Sequence, residues 1–154
     1  MKIAGKQDIA APTAEVYAAV TDFEFFERSA IRRGARICRV EGDGHVARGT
    51  CWDTAFDLRG RTREMRLSVT DVVPAEKLAM LGESDGLKGH VLIDVVPLSP
   101  RRTRLRVELD LKPQTLSTRL LVQSLKLARG NIETRLSNRL AEFGAMIENR
   151  SGRA

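Results

Sequence analysis

Trp52, Thr54 and Phe56, then Met65, Leu67 and Val69, fall at every second position of two neighbouring segments, and Phe23, Phe25 and Phe26 crowd one short stretch. Large, polarizable side chains of this kind either fill a core or line a cavity for an apolar or aromatic guest. Groups that could move a proton or bind a metal are sparser. Cys38, Cys51, His45 and His90 have none of the close spacing a zinc site needs, so no metal is expected. No nucleophile elbow, Gly-rich phosphate loop or HExxH occurs. Asp53 and Asp57 fall on the polar side of a strand and read as solvated carboxylates rather than an acid/base pair. Tyr17 and His90 come nearest to inward-facing proton-transfer groups, yet neither lies on a strongly apolar face. No catalytic residue is assigned and no cofactor is expected.

At 154 residues, 42% of them hydrophobic, the chain is long and apolar enough for one buried core, which excludes wholesale disorder. The expected unit is a single domain over residues 1–150, followed by a polar tail, 151–154. No apolar run approaches the roughly 20 residues of a membrane span. The N-terminus lacks the apolar core of a signal peptide, and two cysteines make no disulfide framework, so the expected location is cytoplasmic.

The net charge of +6 is uneven. Residues 1–34 are neutral and 35–98 carry −1, whereas 99–154 hold twelve basic and five acidic residues. Such a block can solvate a helix, attract an anionic head group, or touch an anionic membrane surface weakly. Its one aromatic residue, Phe143, sits at an apolar helical spacing, which argues against RNA readout by stacking.

The elements that must position these side chains follow from periodicity. A short first strand ends at Ala11-Pro12, and Pro12 suits the first turn of a helix carrying Val16, Tyr17 and Val20. A second short helix carries the phenylalanines. From Ala35 the period becomes two, with turns at Gly42-Asp43-Gly44, around Gly60, at Val73-Pro74-Ala75, at Ser84-Asp85-Gly86 and at Leu98-Ser99-Pro100. A two-residue turn of Arg59-Gly60 or Gly60-Arg61 makes paired positions sum to an odd number, which puts Trp52, Thr54 and Phe56 on the face of Met65, Leu67 and Val69. Leu105, Val107, Leu109 and Leu111 alternate with Arg104, Arg106, Glu108 and Asp110, as expected of a sheet with one wet face. After Pro113 one long helix is expected from about Thr115 to Glu148. Its main stripe includes Leu121, Leu125, Ile132, Leu136, Leu140, Phe143 and Ile147. A second stripe runs Leu116, Leu120, Ser124, Leu127 and Asn131.

The fold class that follows is α+β: a curved antiparallel sheet wrapped around a long C-terminal helix, with two short helices after the first strand. That order resembles the START / Bet v 1-like superfamily, whose bacterial members include SRPBCC and polyketide cyclase/dehydrase-like proteins. The resemblance is carried by Ala11-Pro12, Val16 to Asp22, Gly49-Thr50-Cys51-Trp52, Val73 to Leu78 and Thr103-Arg104-Leu105, over residues 2–148. It implies the helix-grip architecture, with an apolar cavity between the sheet and the last helix.

The expected function is binding or transport of a small hydrophobic ligand in that cavity: a lipid, an isoprenoid or an aromatic polyketide-like molecule. Expected liners are Trp52, Phe56, Met65, Leu67, Val107 and Leu109 on the sheet. Leu120, Ser124, Leu127 and Asn131 on the long helix join them, with Phe23 and Phe26 at the entrance. The competing readings are a cyclase or dehydratase, and an RNA- or protein-binding role for the basic helix. Nothing in the sequence sets the oligomeric state.

Overall fold

The computed structural model describes residues 1–152, which fold in the order β1 (Lys2–Ile9), α1 (Thr13–Val20), α2 (Phe23–Arg32), β2 (Arg36–Glu41), β3 (Cys51–Leu58), β4 (Arg61–Val73), β5 (Lys77–Ser84), β6 (Leu87–Ser99), β7 (Arg102–Pro113), α3 (Leu116–Leu127) and α4 (Arg129–Ser151). The strands form one antiparallel sheet in the order β1-β7-β6-β5-β4-β3-β2. The first strand therefore pairs with the last, and β2 forms the far edge. This is the expected α+β helix-grip arrangement.

The register follows from the turn between β3 and β4. Leu58 pairs with Arg61, leaving Arg59 and Gly60 as the turn, with φ of 54° and 74°. Two positive φ values give the twist a two-residue hairpin needs. Trp52 then faces Leu67 and Thr54 faces Met65, so the large apolar side chains share the helix-covered face. The other face is polar: Asp53 pairs with Arg66, whose guanidinium donates to it at 2.9 and 3.2 Å. That partner holds the Asp53 carboxyl below its ordinary range.

The C-terminal helix departs from expectation, because it is two helices rather than one. Ala128, with φ −100° and ψ 12°, interrupts the run, and its N–H bonds to the Leu125 carbonyl. Gly130 lies within α4, beyond the break. α3 is tied down at its start by reciprocal bonds between Thr115 and Thr118, and the Thr118 hydroxyl donates to the Gly86 carbonyl at 2.7 Å. α4 lies along β1. Its close approach depends on Gly144, where a Cβ would meet Gln7 and Ile9 at 3.2 Å, and on Gly5, where one would meet Leu140 at 3.0 Å. α4 also continues to Ser151, which is buried, so that residue belongs to the helix rather than to a tail; positions 153–154 of the expected tail lie outside the described residues.

Two buried clusters result. Ile9, Val16, Val20, Leu105, Leu140 and Ile147 join α1 and α4 to β1 and β7. Phe23, Trp52, Val69 and Leu78 form the other beneath α2.

Candidate functional site

α2 begins where Asp22 accepts the Phe25 N–H at 3.2 Å, a helix cap that fixes the faces on which its phenylalanines emerge. Phe23 turns inward and meets the Trp52 indole edge-on, with centroids 4.9 Å apart. Between these two rings, Leu67, Leu78, Met80 and Ile93 is an apolar chamber of about 240 Å³. A second cleft, about 520 Å³, opens between α2, the sheet and α4, lined by Phe25, Leu105, Val107, Phe143 and Met146. Val20, Phe26 and Ile93 border both. Phe26 is thus the partition, and its ring packs 5.3 Å from Phe25 and 5.7 Å from Phe143.

One charged side chain borders the chamber. Glu27 accepts the Trp52 indole N–H at 2.8 Å and the Arg39 Nε and Nη2 N–H groups, each at 2.9 Å. Arg39 stands directly opposite Trp52 across β2 and β3, so a single carboxylate from α2 closes on both strands. At the outer rim of the cleft stand Arg33, just past the end of α2, and Arg139 from α4, both exposed, beside Glu142. The interior thus suits an uncharged apolar body, and the rim can meet an anionic end.

Of the expected liners, Trp52, Leu67, Phe23 and Phe26 come together at the chamber, and Val107 lines the adjoining cleft. Met65 instead lies over Gly82 and borders a wider, open hollow of about 670 Å³ among Asp53, Glu64, Arg66 and Glu83. Phe56 pairs with Arg63 and Leu109 packs beside Gly89, both away from the chamber. On α3, the assignment of Leu120 and Leu127 is corrected: they are 64% and 92% exposed. Asn131, at the start of α4, is exposed and Ser124 is only half-buried. The cause is that α3 packs through Leu121, Val122 and Leu125, which turns the second stripe outward. The roof of the chamber is α2, not the last helix.

Tyr17 donates to the Lys77 carbonyl at 3.3 Å, burial raises its pKa, and it borders neither the chamber nor the cleft. His90 is exposed on the polar face opposite Asp110. Glu27 and Arg39 were not foreseen from sequence. The available signal was Trp52 itself, whose buried N–H requires an acceptor.

No protein-family model and no curated protein matches the chain by sequence. Solved structures do match by shape. The Zhui aromatase/cyclase of Streptomyces sp. R1128 gives a TM-score of 0.69 at 13% identity, covering 97% of this chain and 94% of that one. Truncated norcoclaurine synthase of Thalictrum flavum gives 0.66 at 16%, covering 94% and 90%. A START superfamily protein of Mycobacterium smegmatis gives 0.55 at 19%, covering 87% and 95%. These shapes match over nearly the whole chain, and the seven-stranded antiparallel sheet with its paired short helices and C-terminal helices is the helix-grip fold.

Proposed function

We propose that this protein binds a small hydrophobic molecule of lipid, isoprenoid or aromatic polyketide-like character in the chamber beneath α2, extending past Phe26 into the cleft beside α4. The observation that carries this reading is the hollow between Phe23 and Trp52, walled by apolar side chains and bordered by a single carboxylate. At 240 Å³ the chamber alone falls below the roughly 300 Å³ at which ligand pockets begin, whereas the cleft at 520 Å³ exceeds it. A guest therefore needs both, with Phe26 turned aside. An aromatic portion suits the Trp52 end, and an acidic terminus suits Arg33 and Arg139. We place this activity in a reducing cytoplasm, where Cys38 and Cys51 stay as the free thiols they are here.

Trp52 is the sole tryptophan, so its emission reports the chamber directly. Titration with fatty acids, isoprenoids and polyaromatics is expected to quench or shift that emission at saturation. A flat response across all three classes overturns the proposal.

A cyclase or dehydratase reading is favoured by Glu27, the ionisable group at the chamber wall. To act as a base it must first leave Arg39, which occupies both its oxygens. Turnover of a bound poly-ketone that Glu27→Gln abolishes while binding persists would select this reading; undiminished turnover would exclude Glu27 from it.

A further inference from the structure

We infer that α3 is a membrane-docking element, which lays a leucine ridge on an anionic lipid bilayer. Leu116, Leu120 and Leu127 are 75%, 64% and 92% exposed. At 3.6 residues per turn their positions fall within an arc of about 40°. The buried face of the same helix, Thr118, Leu121, Val122 and Leu125, lies on the opposite side. Single exposed leucines are ordinary on a soluble surface, but a straight ridge of three backed by a separate buried face is not.

The charges beside the ridge select the partner. Arg119, Gln123 and Lys126 follow one flank, Ser117 and Ser124 the other, and all but the half-buried Ser124 are exposed. Neither Arg119 nor Lys126 is held in an ion pair among the described residues. From Leu111 to Ile132 the chain carries four cations, Lys112, Arg119, Lys126 and Arg129, and no carboxylate. An apolar stripe edged by cations is what an interfacial helix presents to anionic lipid, with leucines in the acyl boundary and cations at the headgroups. Glu64 and Asp85 share a hollow with Thr115, Ser117 and Thr118 at the first turn of α3, which leaves the later turns as the contact. The helix is also presented rigidly, since Thr115 and Thr118 fasten it to the β5–β6 turn. Among the described residues no helix is long and apolar enough to cross a membrane, so the contact is peripheral.

Co-sedimentation of the full chain with vesicles tests this without any cavity ligand. Binding is expected to vesicles of phosphatidylcholine with about a third phosphatidylglycerol, not to phosphatidylcholine alone, and it should weaken steeply with salt. The triple variant Leu116→Ser, Leu120→Ser, Leu127→Ser should lose at least about tenfold in affinity, and Arg119→Glu with Lys126→Glu a similar amount. Because these side chains are exposed, circular dichroism and Tm of both variants should match the parent, and the Trp52 response to ligands should be intact. No binding of the parent to anionic vesicles overturns the inference, as does undiminished binding by the leucine variant. A dimer that the leucine variant dissolves, without vesicle binding, would assign the ridge to a second copy of the chain instead.

Discussion

The indole N–H of Trp52 donates to a carboxylate oxygen of Glu27 that also takes the Arg39 Nε, so the chamber wall and the lid above it share one ionic clamp. Arg39 and Glu27 side chains are only 17% and 21% exposed, which makes the pair partly desolvated and sensitive to loss of one member.

Arg39→Ala should therefore cost about 1–3 kcal/mol, because it leaves a half-buried carboxylate with one donor. It should also move Trp52 emission to the red as α2 loosens from β2. Glu27→Gln, which keeps an acceptor for the indole, should disturb emission less than Glu27→Ala. Denaturant melts with fluorescence readout check both; unchanged midpoints and emission in Arg39→Ala would show that the clamp holds nothing.

Phe26 is 40% exposed and divides two hollows, whereas Phe23 is 6% exposed and pairs with Trp52. Phe26→Ala should accordingly cost only about 1–2 kcal/mol, against roughly 3–5 for Phe23→Ala. Removing the partition should favour longer guests, so the affinity ratio of a long-chain over a short-chain fatty acid should rise several-fold. Equal ratios in parent and variant would mean that the two hollows do not serve one ligand.

The strand register was legible because side chains alternate with period two and a two-residue turn fixes the pairing sum; Trp52 opposite Leu67 follows directly. The division at Ala128 was not, because alanine is a strong helix former and the spacing Leu125, Ala128, Ile132 runs through the break. α3 is apolar on two opposite faces, and spacing alone cannot decide which one meets β7. That choice sent Leu120 and Leu127 outward rather than toward a ligand. Glu27 and Arg39 sit on different elements, twelve residues apart, so no local pattern announces their pairing.

Ala75 occupies the left-handed region at φ 62°, in the turn closed by the Glu76 N–H on the Val73 carbonyl. Pro74 presets the preceding residue, and the geometry asks for glycine at Ala75. Left-handed backbone costs a non-glycine residue about 1–2 kcal/mol, while glycine adds about 0.5–1 kcal/mol of unfolded-chain freedom. Ala75→Gly should therefore stabilise by up to about 1 kcal/mol, read as a Tm rise of roughly 2–4 °C. A lower Tm would show that the turn is not strained.

Asp8 makes two bonds to the Arg104 guanidinium, at 2.8 and 3.2 Å, with Arg102 3.6 Å away. These hold its carboxyl below the ordinary 3.8 despite the opposing effect of desolvation. Because the folded value is the lower one, the unfolded chain binds the proton first as pH falls. The stabilisation is therefore complete above about pH 5 and is lost as pH drops through 3.8 and below. The pair ties β1 to β7 at a site still open to solvent, about a third exposed, so the effect is small but has a definite shape. The Tm difference between parent and Asp8→Asn should be constant from about pH 7 to pH 5 and close below about pH 4. A difference that grows in acid would mean that Asp8 is stabilised by its protonated form, against the geometry of Arg104.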